Sequence, residues 1–377
     1  MVNLLNKIED VMYDRNHDIL FSFKSLLTAI ASGYECIVRV RNTLYKKNIL
    51  QTKRLPCTVI SIGNITVGGT GKTPMTIYVA KLVEKLGYRV VVISRGYKGN
   101  LEKTGGIVSD GENIFVDAFD AGDEPYMIAS KLKTIPVVVG RDRFKAGLIA
   151  VKKFSPDVII LDDAFQHLKL LRDINLILLD HACPFGNRHL APRGILREPV
   201  SALLRSDAVI FTRSDSKGTT FEKDRPFMQN KSIFKSFHKP YLYKIISGNQ
   251  DNDISIADHL HHDSVGYLKG KHVVAFSGIA KNDDFLNTLC KLGCNVKKHM
   301  TFSDHYPYSD KDIDAIFEVA KNVCADCVVT TEKDYMRVMH MRPWSIDLAA
   351  IGVEISFEDD STAFCDFIKQ QLLSCSA

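Results

Sequence analysis

From residue 57 onward the apolar positions fall into short solid runs separated by stretches of helical period. The segments 57–64 (CTVISIGN), 89–94 (RVVVIS), 136–140, 174–180, 207–212 and the start of 157–167 (DVIILDDAFQH) are apolar on both faces, as strands covered from above and below must be. Between the first two lies 76–87 (TIYVAKLVEKLG), amphipathic and ended by Gly87. Buried strands alternating with amphipathic helices predict an α/β body, a mostly parallel sheet with helices on both faces. Residues 19–40 read differently. Ile19, Phe23, Leu26, Leu27, Ile30, Tyr34, Ile37 and Val38 recur at helical spacing, and Ser25, Thr28, Ser32, Glu35 and Arg39 line the opposite side. That pattern predicts an amphipathic helix ahead of the α/β body.

With 377 residues the chain exceeds what one core usually organises, so two domains are expected. Its 45% hydrophobic and 25% charged content excludes a disordered or fibrous protein. The net charge of +5 is unevenly placed: residues 1–54, with nine basic and five acidic side chains, carry +4 of it. The rest is nearly neutral, which argues against a nucleic-acid surface. Arg41, Lys46, Lys47, Lys53 and Arg54 follow the amphipathic helix. A basic cluster beside such a helix suits a membrane interface with anionic head groups, and a helix packing its stripe on the protein has the same pattern; both readings stand. No run of 18 apolar residues predicts a spanning helix, and no cleavable signal peptide is expected. Nine scattered cysteines suggest a reducing compartment, and the Cys324–Cys327 pair, lacking a second pair, reads as structural.

The chemistry begins between the first strand and helix, at TVGGTGKTP. Strand, glycine-rich turn, Lys-Thr and helix are the context of a phosphate-binding loop. Gly68, Gly69, Thr70 and Gly71 would cradle phosphates with backbone N–H groups, Lys72 would reach the β and γ phosphates, and the Thr73 hydroxyl would ligate Mg²⁺. Thr66 stands where the general pattern wants glycine. At the end of a neighbouring strand, Asp162 and Asp163 are placed to hold the same ion. Together they predict a P-loop NTPase-type domain using ATP and Mg²⁺.

Such loops serve kinases, motors and switches alike, so an acceptor site is the discriminating feature. Gly122-Asp123-Glu124-Pro125 opens a helical run, with Asp123 either its N-cap or a carboxylate base for an attacking hydroxyl. His305 lies between the strand 295–302 and a helix starting near Ser309, where open α/β sheets present ligand-facing groups. His259, His261 and His262 fall in a polar stretch that reads as a solvated loop rather than a metal site.

These pieces occur in a familiar order. GNITVGGTGKTP, SRGYKG, GDEPYMIA, GRDR, LDDAFQH, GN with the 192–199 stretch ending in LREP, FSGIAKNDDF, TFSDHYPY and TTEKDYMR resemble the tetraacyldisaccharide 4′-kinase family over about residues 57–337. The resemblance implies ATP- and Mg²⁺-dependent phosphorylation of the 4′-hydroxyl of a tetraacylated disaccharide 1-phosphate, giving lipid IVA in lipid A synthesis. It implies Lys72 and Thr73 for ATP and Mg²⁺, Asp162 and Asp163 as the metal acids, and a dyad of Asp123 and His305. Tyr97, Glu124, Arg141, Gln166, Asn187 and Arg197 match further motif positions, Gln166 with the nucleotide and the others with the acceptor. The stretch GNRHLAPRGILREP departs from the family's usual GNGRLLPAGPLREP at Arg188, His189, Arg193 and Ile195.

The same resemblance implies a smaller, Rossmann-like second α/β domain joined by two linker strands, for which 241–247 and 349–357 alternate suitably. The expected division is an N-terminal membrane-interface segment at 1–56, an ATP-binding kinase domain at 57–240, a smaller domain at 241–357 and a C-terminal helix at 358–377 returning to the first. Asp123 and His305 then fall in different domains. A lipid acceptor favours the inner-membrane surface, on its cytoplasmic face in a Gram-negative-type bacterium, with no nucleic acid and no obligate protein partner. The alternative is a membrane-associated regulatory P-loop ATPase, against which Val67 counts, since such proteins carry lysine there.

Overall fold

The computed structural model describes residues 2–14, 22–214, 225–248, 263–339, 341 and 343–376. Ile19 and the His259, His261 and His262 stretch lie outside them. The chain divides into two units, Met1–Phe237 with Ile355–Ala377, and His238–Glu354.

In the first unit, helices α1 (Val2–Tyr13) and α2 (Phe23–Lys46) precede an eight-stranded sheet. Its strands are β1 (Thr58–Gly63), β2 (Val90–Ser94), β3 (Gly106–Ser109), β4 (Val137–Val139), β5 (Val158–Asp162), β6 (Ile174–Asp180), β7 (Ala208–Thr212) and β8 (Ser232–Lys235). They lie in the order β3-β4-β2-β5-β1-β6-β7-β8, parallel throughout except for the β3–β4 pair. Strand alternation explains the two covered faces. Ile60, Ile62, Val90 and Val92 point toward α3 (Lys72–Lys85) and α6 (Asp123–Lys131), whereas Val59, Val91 and Ile93 pack with Ala146 and Ala150 of α7 (Arg143–Phe154). Short helices α4 (Leu101–Thr104), α5 (Ala118–Ala121) and α8 (Arg225–Met228) fill the connections.

Helix α2 divides its apolar arc. Leu27, Ala31 and Val38 are buried, Val38 in a cluster with Phe165 and Leu196, while Leu26 and Ile37 remain 57% and 68% exposed beside Phe23 and Ile30. One edge packs on the protein, as the packing reading expects, and the other faces outward. No described helix is long and apolar enough to cross a membrane.

The second unit is a five-stranded sheet in the order β11-β10-β12-β13-β9. It comprises β9 (Phe237–Ile246), β10 (His272–Ser277), α9 (Asn282–Lys291), β11 (Asn295–Thr301), α10 (Asp310–Asn322), β12 (Cys327–Thr331), α11 (Glu332–Val338) and β13 (Leu348–Ser356). The two strands read as linkers are β9 and β13, neighbours at one edge of this sheet. Val273, Ala275, Phe285, Leu289 and Val329 form its core. Cys327 is buried on β12, none of the nine cysteines is in a disulfide, and no described group of three or more His, Cys, Asp or Glu residues is placed to hold a metal. Past β13 the chain rejoins the first unit through α12 (Ser361–Ser376), whose Phe364, Ile368 and Leu372 enter the α3 face of that core. Phe364 stacks on Phe357 at 4.1 Å and meets Phe234 edge-on at 5.1 Å.

Candidate active site

Strand β1 leads into the glycine-rich turn, and its entry explains the threonine at 66. Residues 65–67 run extended against 195–197, with Thr66 bridged to Leu196, Val67 N donating to Ile195 O at 2.7 Å and Arg197 N to Ile65 O at 2.7 Å. An extended residue needs no glycine; the left-handed positions are Gly68 (φ 97°) and Gly71 (φ 81°). Gly71 caps α3, so Lys72 and Thr73 occupy its first turn, where free N–H groups and the helix dipole favour an anion. Gly63 is required by space instead, since a Cβ there would lie 2.6 Å from Phe165 Cβ.

The carboxylates gather beside this turn. Asp163 (φ 46°) accepts from Arg197 Nη1 at 3.1 and 3.0 Å and lies 3.8 Å from Lys72 Nζ. Burial opposes its charge, but Lys72 and then Arg197 outweigh that and hold its carboxyl below the usual range. Asp162 is only 1% exposed and accepts from Thr76 Oγ1 at 3.0 Å and Ser94 Oγ at 3.3 Å. Burial, reinforced by the charges of Glu124 and Asp163, pushes its carboxyl up to about 7. A buried carboxyl next to hydroxyls, with a second, partly exposed carboxylate one residue on, is a donor set that fits Mg²⁺. That ion takes one or two carboxylates and completes its shell with water and phosphate oxygens, so an all-protein cage is not needed.

Asp123 and Glu124 open α6, with Gly122 as N-cap; Asp123 is therefore the first helical residue rather than the cap. Glycines bring this start against the SRGYKG segment: a Cβ on Gly99 would lie 2.6 Å from Asp120 O, and one on Gly122 3.0 Å from Tyr97 O. Tyr97 is 45% exposed, with the Arg95 guanidinium 5.4 Å and the Lys98 ammonium 5.8 Å from its ring centre.

The remaining motif residues separate by task. Gln166 Nε2 donates to Asn64 O at 2.8 Å, tying the segment after β5 to the end of β1. The Arg141 side chain is exposed, whereas Arg143 is buried and donates to Gly140 O at 3.0 Å and Asp162 O at 3.3 Å. Sequence reasoning chose Arg141 from GRDR and missed Arg143, as it missed Thr76 and Ser94; only their contacts with Asp162 distinguish them. Asn187 is a staple, its Nδ2 donating to Met12 O, Asp14 O and Arg193 O at 3.0, 3.2 and 2.9 Å. Arg193 joins it by donating to Val11 O at 3.0 Å and Asp14 O at 3.1 Å. The divergent 188–195 stretch thus accommodates the end of α1. Next to it, buried Glu198 accepts from Arg205 at 3.0 and 2.9 Å and from Asn42 of α2 at 2.9 Å.

In the second unit three motifs meet at the C-terminal ends of β10, β11 and β12. His305 adopts φ 58°, with Lys333 Nζ 3.1 Å from Nε2 and Arg337 Nη2 3.1 Å from Nδ1. Both neighbours are pure donors, and a neutral imidazole accepts at one nitrogen only, so its tautomer selects which contact is a hydrogen bond. Lys333 also donates to Asp304 at 3.0 Å, and burial of Asp304 is outweighed by Lys333, His305 and Arg337, which hold its carboxyl low. Arg337 Nη1 donates to Asp334 at 3.1 Å. Asp334, fully buried, also accepts from Gly278 N at 2.9 Å and Thr331 Oγ1 at 2.7 Å.

Comparison with known proteins supplies the chemistry's name. A family model described as Tetraacyldisaccharide-1-P 4′-kinase matches residues 23–373. A tetraacyldisaccharide 4′-kinase of Desulfatibacillum aliphaticivorans is 40% identical over 99% of both chains. That of Aquifex aeolicus is 42% identical over 76% of this chain and 84% of its own. A crystal structure of LpxK from Aquifex aeolicus in complex with ATP is similar with a TM-score of 0.71 at 33% identity, covering 93% of this chain and all of that one.

Proposed function

The chain belongs to the tetraacyldisaccharide 4′-kinase family, and from that premise we propose how its residues divide the work of moving a phosphoryl group. It is an ATP- and Mg²⁺-dependent kinase of lipid A biosynthesis, acting on the 4′-hydroxyl of tetraacyldisaccharide 1-phosphate to give lipid IVA; a regulatory P-loop ATPase is not favoured. The observation that carries the assignment of roles is the gathering of Asp162 and Asp163, at the end of β5, with Lys72 at the start of α3 and Glu124 at the start of α6. Gly68 to Gly71 bind the triphosphate through backbone N–H groups, Lys72 holds the transferring phosphate, and Gln166 braces the nucleotide side. Thr73, Asp162 and Asp163 would hold Mg²⁺, which when bound would neutralise charge on the phosphoryl oxygens. Arg197 fixes Asp163 for that task. Asp123 takes the proton of the 4′-hydroxyl as its oxygen bonds to the γ-phosphorus and the bond to the β–γ bridging oxygen breaks, leaving ADP. His305 is the partner histidine of that base, with Lys333 and Arg337 setting its ring. Tyr97, Glu124 and Arg141 serve the acceptor, and Asn187 serves it indirectly by holding the loop.

The lipid acceptor and the outward arc of α2 support docking on the cytoplasmic face of the inner membrane, with no obligate protein partner. Phe23, Leu26, Ile30 and Ile37 would enter the interface beside Arg41, Lys46 and Lys47. The test of the kinase assignment is incubation with γ-labelled ATP and Mg²⁺, with and without disaccharide 1-phosphate in detergent micelles. Label is expected in the lipid; label appearing only as free phosphate would sink the assignment. For docking, Leu26, Ile30 and Ile37 changed together to serine leave the buried edge intact. This variant should no longer float with anionic liposomes, and unchanged flotation removes α2 as the anchor.

A further inference from the structure

Arg213 stands one residue past β7 in the left-handed region (φ 56°), a backbone conformation that L residues avoid unless their surroundings impose it. Its Nη1 donates to the carbonyl of Gly69, in the middle of the glycine turn, at 3.0 Å. Its Nη2 is paired with Asp180, the buried last residue of β6, whose Oδ1 accepts from Ala182 N at 3.0 Å. Asp180 is in register with Thr212 on the adjacent strand, so the guanidinium bridges two strand ends and the turn. The geometry has a consequence for the peptide it grips. In a planar trans peptide C=O and N–H point in opposite directions, so anchoring Gly69 O fixes Thr70 N–H to point away from Arg213. A cationic donor on the carbonyl also polarises the peptide and strengthens that N–H as a donor.

We propose that Arg213, oriented by Asp180, is a positioning residue for ATP: it presets the Gly69–Thr70 peptide so that Thr70 N–H faces the phosphate oxygens before the nucleotide arrives. The inference rests on reading the turn as the ATP site of a kinase. A preset donor lowers the ordering cost at binding, so its loss falls on nucleotide affinity more than on the chemical step.

The test compares full-length wild type with Arg213→Met, Arg213→Lys and Asp180→Asn, measuring the Kd for Mg·ATP by calorimetry, KM and kcat for ATP and for lipid acceptor, and melting without nucleotide. Removing one charge-assisted contact should raise the ATP Kd and KM roughly ten-fold in Arg213→Met. The acceptor KM should stay near wild type, Arg213→Lys should recover part of the loss, and Asp180→Asn should fall between. An ATP Kd within two-fold of wild type in folded Arg213→Met overturns the proposal. Should that variant fail to fold, an unchanged ATP Kd in both Arg213→Lys and Asp180→Asn overturns it equally. A purely structural role would lower melting and kcat together while leaving the ATP KM in place. Wild type that binds ATP but never labels the lipid defeats the kinase reading instead, a result distinct from either failure of the proposal.

Discussion

At the C-terminal edge of the first unit's sheet, Asp162, Asp163 and Glu124 crowd around Lys72 and Arg197, and burial with carboxylate repulsion pushes Asp162 up to about 7. At the corresponding edge of the second unit's sheet, Asp304 and Asp334 are matched by Lys333 and Arg337 around His305. The first arrangement sets a buried carboxyl pushed upward beside Lys72, Arg197 and Arg143, and in the roles proposed above Mg²⁺ completes it. The second is closed on itself and holds one imidazole in a backbone conformation it would not choose alone. In the roles proposed above, one site receives charge and the other aims a ring.

The hardest blow to the first region is removal of its working groups. Lys72→Ala and Asp123→Asn should each cut kcat roughly 10²–10⁴-fold without lowering the melting temperature, and near-normal turnover in either would dismantle the assigned roles. The next effect sharpens the contrast through stability. Asp334→Asn removes the fully buried carboxylate that accepts from Arg337, Gly278 and Thr331 and should cost the second unit about 3–5 kcal/mol in denaturant unfolding. In the same unit, His305→Ala should lower kcat roughly ten- to a hundred-fold while the ATP Kd stays within about two-fold; wild-type kcat removes His305 from the mechanism. The smallest effect has the opposite sign. Burial pushes the Asp162 carboxyl from the ordinary 3.8 up to about 7, so its contribution to stability is full below the ordinary value and is lost as pH rises through about 7. Nucleotide-free Asp162→Asn should therefore melt a few degrees above wild type at pH 8 and not at pH 5, while losing its Mg·ATP-induced shift. A lower melting point at pH 8 would mean that the acid is compensated after all.

Much of this was legible in the chain. Solid apolar runs announce strands buried on both faces, and β1, β2, β5, β6 and β7 lie where those runs do because nothing else hides four consecutive large side chains. Local rules also placed His305 between a strand and the helix capped by Ser309, whose box with Asp312 is present. What escaped was set by distant partners. A helical stripe does not say how much of its width is covered, and α2 needed Leu196 and Phe165 to cover one edge. Thr66 reads as a missing glycine until residues 195–197 lie beside it. Arg143 and Arg213 look like any arginine after a strand; their contacts with the Asp162 and Gly69 carbonyls are what single them out. The α1 helix, held by Asn187 and Arg193, carried no signal of its partner at all.

Helix α12 has a temporal meaning. The chain leaves the first unit after Phe237, builds the second, and returns at Ile355, and Phe364, Ile368 and Leu372 then seal the α3 face of the first core. On the ribosome the glycine turn, its lysine and its acids are therefore all translated long before the core beneath them is sealed. Ordered maturation runs inside out: the interrupted second unit is free to fold while the unit that began first waits for the last turns of helix to emerge.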